Sequence, residues 1–336
     1  MVKEILNIAF ALIPVVLFLA SLVFFDSYKL VSVKIISFSL VAGIASAGCA
    51  LIVNQRIFVA VGEESFLFPR YIAPLVEEFC KSVLPIIAIR RQRVGFMVDA
   101  AILGFTVGTG FALVENIYYL SSLPDASLGV WLVRGFGTAV MHGGTTGILA
   151  VIAKNRFDTG TRNQLATNMP AFLTAVAIHS FFNHFLLPPL YLSLLVLVTL
   201  PVIMALVFER SERVTRSWLG VGFDADAALL NMIISGDVAS SRIGNYLRQL
   251  QERFRPEVVV DLLCYLRLYL ELAVQAKGIM LMRESGFEVP PDPEVEAKFI
   301  EMKYLERSIG KTGYRALTPF IHTGTREIWQ LHMLRH

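Results

Sequence analysis

The sequence predicts an all-α protein: a polytopic membrane bundle of about seven helices, followed by a soluble helical domain. Three observations predict it. Hydrophobic residues make up 55% of the 336 and charged residues only 17%, where ordinary soluble domains have about 45–50% and 25%. Mean hydropathy is +0.61, and apolar runs of about 20 residues, long enough to cross a bilayer as helices, recur along the first part of the chain. Charge is placed unevenly: residues 1–208 hold 13 Lys and Arg with 10 Asp and Glu, whereas residues 209–336 hold 17 of each. These features exclude a disordered chain, a collagen-like chain and a typical cytosolic enzyme. The net charge of +3 is too small to argue for a nucleic-acid partner. Cys49, Cys80 and Cys264 are scattered, so neither a disulfide framework nor a cysteine metal site is expected.

Seven spans follow from the apolar runs: 5–25, 34–54, 71–89, 96–120, 130–153, 169–187 and 190–208. The first is too long for the apolar region of a signal peptide, and no small-x-small cleavage site follows it, so it reads as an uncleaved span. Basic residues in short loops set the orientation. Arg90, Arg91 and Arg93, then Lys154, Arg156 and Arg162, then Arg210, Arg213 and Arg216 share one side only if the N-terminus is outside and the C-terminus cytoplasmic. Lys29 and Lys34 then also fall inside. The opposite loops hold Glu63, Glu64 and Asp125, with a Pro188-Pro189 turn last. Tyr71, Tyr118, Tyr119, Trp131 and Tyr191 fall near outer helix ends, as an interfacial belt would. Gly104 and Gly108, and Gly143 and Gly147, have the small-xxx-small spacing that lets helix backbones approach closely.

Residues 209–336 read as a cytoplasmic helical accessory domain. Pro256–Met282 is a long amphipathic run with apolar Val259, Leu262, Leu263, Leu266, Leu270 and Val274. Gly286 to Pro293, with Pro290 and Pro291, breaks it. Glu294–Ile309 and Thr325–Leu334 read as shorter helices. His322, His332 and His336 read as surface residues, and the region has no catalytic constellation.

The membrane block does have one. Ionisable groups at mid-bilayer cost at least about 2.5–3.5 kcal/mol each and mark function. Span three holds Glu77, Glu78 and Lys81; span four holds Phe111, Glu115 and Asn116; span five holds His142; span six holds His179, Asn183 and His184. Counted from the outer helix ends at 1.5 Å per residue, Glu77, Glu115, His142 and His179 lie roughly 8 to 18 Å down. Four helices thus offer carboxylates and imidazoles to one layer. Glu77 and Glu78 are about 100° apart on a helix, so one would act while the other supports it. Lys81 is placed to neutralise one of them, and Arg134 to pair with a carboxylate near the outer surface. His179 and Asn183 share a face.

Two histidines with carboxylates suit a divalent metal such as zinc, with a further carboxylate as general base and acid. A metal-free version, in which a carboxylate activates water and His179 with Asn183 holds the oxyanion, uses the same residues. No HExxH and no GxSxG motif occurs. A proton-coupled transporter would also bury Glu and His, but no internal repeat of the kind common to transporters is seen. A non-enzymatic scaffold is the remaining alternative.

The ordered set EExxK (Glu77, Glu78, Lys81), FxxxEN (Phe111, Glu115, Asn116), the lone His142 and HxxxN (His179, Asn183) resembles the PrsW family of intramembrane proteases. That family is similar to the CAAX-prenyl-protease and bacteriocin-processing group, whose pattern is EExxxR, FxxxH and HxxxN. Lys81 three residues after Glu78, and Glu115 in the place of the FxxxH histidine, both favour PrsW. The resemblance spans about residues 70–190 and implies an integral endopeptidase of a bacterial cell membrane. Its substrates would be membrane-anchored, anti-sigma-factor-like proteins, cut near the extracytoplasmic face. It assigns Glu77 and Glu78 as water-activating or supporting carboxylates, Glu115, His142 and His179 as metal ligands or polarising groups, and Asn183 as an oxyanion donor. It does not cover the tail.

Overall fold

The computed structural model describes residues 2–61, 66–160, 164–290, 292–321 and 324–334. Glu63, Glu64, Arg162, Pro291, His322 and His336, named above, lie outside them. Helices joined by short turns make up the described residues, with no strand among them, and the chain divides into two compact units, Met1–Ser211 and Glu212–His336.

In the first unit, α1 (Val2–Phe24) and α2 (Val33–Val61) are followed by a π-helical turn, Phe68–Ile72, that runs directly into α3 (Ala73–Arg90). α4 (Met97–Ser122) comes next, then the short α5 (Leu128–Leu132), a second π-helical segment, Val133–Ala139, and α6 (Val140–Asp158). α7 spans Gln164–Asn183 and α8 begins at Pro189. α8 continues to Ile234, well past the predicted end at 208, because residues 209–234 contain no proline and only two glycines to interrupt it. Five helical stretches are long and apolar enough to cross a membrane: α1, α2, α4, the stretch Leu128–Asp158, and α8. α3 and α7 stand where the third and sixth spans are predicted. They carry Glu77, Glu78, Lys81, His179 and Asn183 and are not among the five.

α4 is the central helix, buried almost continuously from Val98 to Ala112 and packed on α1, α2, α3 and α6. Water supplies no drive to associate apolar helices inside lipid, so close packing must do so. Gly104 and Gly108 allow it. A Cβ on Gly108 would lie 2.7 Å from the Cα of Gly143 on α6 and closer still to the His142 carbonyl oxygen. The two backbones therefore touch beside the histidine. Phe105, wholly buried, fills the adjoining layer with Ile102, Val140, Leu200 and Met204.

In the second unit, α9 (Arg242–Leu250) starts at Ser241, whose Oγ accepts from the Gly244 amide at 3.2 Å, a side-chain N-cap. α10 (Pro256–Glu284) is the spine, with Leu262, Leu266, Leu270, Ala273 and Met280 almost wholly buried. α11 (Glu294–Leu317) and α12 (Thr325–Met333) cover it. α11 is kinked at Gly310, whose φ of 63° is open to glycine without strain, so its first segment stops at the predicted end, Ile309, and a second continues to Leu317. In the unit's interior Lys277 pairs with Asp226 at 2.5 Å, with the ammonium 4.9 Å from the Trp218 ring.

Candidate active site in the helix bundle

Five helices of the first unit, α2, α3, α4, α6 and α7, converge on a cavity of about 360 Å³, lined among others by Asn54, Glu77, Glu115, Arg134, His142, His179 and Asn183. Two of them, α3 and α6, enter through π-helical turns. Such turns leave backbone carbonyls out of the regular ladder and recur at functional sites. Here the carbonyls have partners from α7: Ser180 Oγ donates to the Arg70 oxygen at 2.5 Å, and Asn183 Nδ2 to the Pro69 oxygen at 3.0 Å. The HxxxN face of α7 is thereby tied to the start of the helix that carries the glutamate doublet.

The doublet splits as helical geometry requires. Glu78 is wholly buried and absent from the cavity wall. Its Oε1 accepts from Lys81 Nζ at 2.5 Å, His179 Nδ1 at 2.8 Å and Thr145 Oγ1 at 3.2 Å. Glu77 keeps 14% of its side chain exposed and lines the cavity. Its Oε1 accepts from Asn54 Nδ2 at 3.3 Å, and its Oε2 faces His179 Nε2 at 3.8 Å.

His142 is held from both sides. Lys81 Nζ lies 2.9 Å from Nδ1, and Glu115 Oε2 lies 2.9 Å from Nε2. The ring meets His179 edge-on at a centroid distance of 4.7 Å and leans on Phe111 at 5.1 Å, while Lys81 sits 4.8 Å from the same Phe111 ring. Glu115 also pairs with Arg134 Nη2 at 3.3 Å. Arg134 Nε donates to Asn116 Oδ1 at 3.0 Å, and its guanidinium stacks 3.7 Å from the Tyr119 ring. Asn116 in turn donates to the Ala11 carbonyl at 2.6 Å, fastening α4 to α1. His184 turns away from the cluster, bonded to the Ser180 carbonyl and the Tyr71 hydroxyl.

The structure thus brings Glu77, Glu78, Glu115, His142 and His179 into one cluster, with Asn183 at its rim. One ligand atom from each of Glu77, His142 and His179 lies within 4.8 Å of the others. That N,N,O donor set fits a zinc-like ion, and Glu78 behind His179 Nδ1 supplies the carboxylate–histidine support such ligands usually have. The carboxylate in this group is Glu77. Glu115, grouped with the histidines from sequence, is engaged by His142 and Arg134. Thr145 and Asn54 were not singled out in the sequence. Thr145 follows His142 by three residues on one helical face, and Asn54 is a polar residue closing an apolar run.

A model of the PrsW family intramembrane metalloproteases matches residues 32–208. The chain belongs to the PrsW family. No curated protein and no solved structure matches it. The PrsW match covers α2, α3, α4, α6 and α7, every helix that lends a side chain to the cluster, and places the cavity in an integral-membrane protease whose substrate is a membrane-anchored protein. A Glu/His/His group able to hold a metal accords with the family's description as metalloproteases.

Proposed function

We propose that residues 1–208 form the catalytic domain of an endopeptidase that cuts membrane-anchored, anti-sigma-factor-like proteins near the extracytoplasmic face of a bacterial membrane. Residues 209–336 are then a cytoplasmic accessory domain, and the N-terminus is outside. The observation that carries the reading is the facing pair on the cavity wall, Glu77 Oε2 and His179 Nε2 at 3.8 Å. Each is steadied from behind, Glu77 by Asn54 and His179 by Glu78.

Water entering between them meets two acceptors. Glu77 takes its proton as general base and returns it to the leaving amine, while His179 orients the oxygen for attack on the peptide carbonyl. The carbonyl oxygen that gains charge is met by the second N–H of Asn183, the first being committed to Pro69. Arg134 keeps Glu115 in place, and Glu115 polarises His142. Where a divalent metal is bound, Glu77, His142 and His179 would hold it, and it would supply Lewis-acid polarisation of the carbonyl or a more acidic water.

The test is cleavage of a tagged single-span reporter by wild type, Glu77→Gln and His179→Ala, reconstituted in lipid. Both variants should lose cleavage by at least 100-fold. If both process the reporter at the wild-type rate while folding normally, the protease reading fails.

A further inference from the structure

The second unit has a cavity of its own, about 560 Å³, within the size range of small-molecule sites and far larger than a bare ion needs. Every residue that lines it belongs to that unit, on α8, α10 and α12. Its floor is buried and its mouth is open. Tyr269 and Lys277 of α10 are 4% and 3% exposed, whereas Arg213 and Ser217 of α8 stand in solvent.

The acids on the wall are met from within the wall. Asp226 accepts from the Lys277 ammonium, and Glu327 Oε1 accepts from the Trp218 indole at 2.9 Å. Gly222 makes room for the first contact, since a Cβ there would stand 3.0 Å from Lys277 Cε. Among the described residues of the wall, Arg213, Lys277 and Arg326 outnumber these two carboxylates. Each guanidinium carries five N–H donors in a rigid fork, more than one neighbour can use. Two forks from two helices also offer more donors than the two oxygens of a carboxylate can take, while a phosphate monoester presents three terminal oxygens. Trp218 and Tyr269 supply flat apolar wall for an organic remainder.

α12 adds a second sign of a polar occupant. Gln330 follows Arg326 by four residues and Glu327 by three, so it leaves the same face of the helix. It is wholly buried, and neither atom of its amide has a hydrogen-bond partner among the described residues. Such a group calls for a partner, and it stands on the face that borders the cavity.

We propose that this cavity binds an organic phosphate monoester, its phosphate held by Arg213 and Arg326 and its organic part lying against Trp218 and Tyr269. Glu327 orients the indole, and Lys277 stays with Asp226 at the floor. In a membrane protein the phosphate arrives either dissolved, as a nucleotide, or as a lipid headgroup, as in phosphatidate.

The proposal rests on the second unit alone and not on the protease reading, and its test needs no cleavage. The full chain in phosphatidylcholine nanodiscs is titrated calorimetrically with AMP, with adenosine and with inorganic phosphate. AMP should bind at a single site, about 10-fold or more tighter than either fragment, and Arg213→Gln and Arg326→Gln should each weaken it about 10-fold. Ser217→Trp puts an indole at the exposed mouth and should block the site without disturbing the fold, as circular dichroism checks. A second arm uses nanodiscs that also hold phosphatidate, and native mass spectrometry counts the phosphatidate retained by the released chain. AMP binding weakened by all three variants supports the proposal with a dissolved ligand. Selective retention of phosphatidate, lost in the same variants, supports it with a lipid. No AMP binding up to about 1 mM together with no selective retention overturns it. So does AMP binding no tighter than that of adenosine without such retention, or any binding that persists unchanged in Arg213→Gln, Arg326→Gln and Ser217→Trp.

Discussion

One close approach of helix backbones lies beside the cluster, and that makes Gly108 a sensitive position. Replacing it with alanine puts a Cβ 2.7 Å from Gly143 Cα and 2.8 Å from the His142 carbonyl carbon, where ordinary contact begins near 3.4 Å. Both obstacles are backbone, so no side chain can swing aside. The helices must part by about 1 Å, the carbonyl oxygen demanding more than the carbons do. His142 rides on α6 and Glu115 on α4, joined by a 2.9 Å bond that such a shift would stretch beyond hydrogen-bond range.

A misplacement of about 1 Å costs catalysis about 100-fold, equivalent to about 2.7 kcal/mol of barrier. Gly108→Ala should therefore lower kcat/KM for reporter cleavage by about that factor in proteoliposomes, while the protein still inserts and elutes as a single species. Gly48 on α2 is the matched control, because a Cβ there meets nothing within 4 Å, and Gly48→Ala should leave the rate unchanged. If Gly108→Ala cleaves as fast as Gly48→Ala, then either the backbones are not this close or the His142–Glu115 bond does not matter to turnover.

Other outcomes follow from the same geometry. Glu78→Gln strips the buried Lys81 of its counter-charge and should cost about 3–5 kcal/mol of stability, whereas Glu77→Gln, on the cavity wall, should leave the melting temperature nearly unchanged and remove only activity; thermal unfolding in detergent beside the cleavage assay separates the two. Asp226→Ala isolates Lys277 inside the second unit and should destabilise it by about 3–5 kcal/mol, while Asp226→Leu with Lys277→Met should recover most of that loss in denaturant melts. Leu266→Ala, at a wholly buried position of α10, should cost about 2–5 kcal/mol by the same measurement. Where the protein holds zinc, elemental analysis should find about one ion per chain, lost from His179→Ala and retained in Asn183→Ala.

The helical architecture was legible because a bilayer leaves so few alternatives. A long apolar run must become a helix, and a glutamate or histidine inside one must find a partner. The motif residues were legible for the second reason, and the glycine spacings on α4 and α6 did mark where two helices touch. Less legible was anything set by partners distant in sequence. The π-helical turns at Phe68–Ile72 and Val133–Ala139 leave no periodicity in the residues, and carbonyls of the first are reached by Ser180 and Asn183 from more than a hundred positions away. The continuation of α8 beyond residue 208 was hidden because a change from apolar to charged residues marks the end of a hydrophobic run, not the end of a helix.

The same limit bears on Glu115, which the sequence groups with the two histidines, whereas the Glu/His/His group whose ligand atoms lie within 4.8 Å of one another holds Glu77. Spacing on α4 puts Glu115 at the right depth but says nothing of what stands opposite it, and Arg134 stands there. Spacing on α3 separates Glu77 from Glu78 by about 100° but does not say which faces the cavity. Lys81 decides that. It follows Glu78 by three residues and Glu77 by four, and it bonds the former. Glu78, tied to the buried ammonium, lies off the cavity wall, and Glu77 is the one that lines it and faces His179. In this EExxK sequence the lysine thus does more than neutralise charge: it holds the second glutamate away from the cavity wall that the first one lines. An EExxxR sequence moves the cation one further position around the helix, where the pairing would have to be found again from the partners and not from the motif.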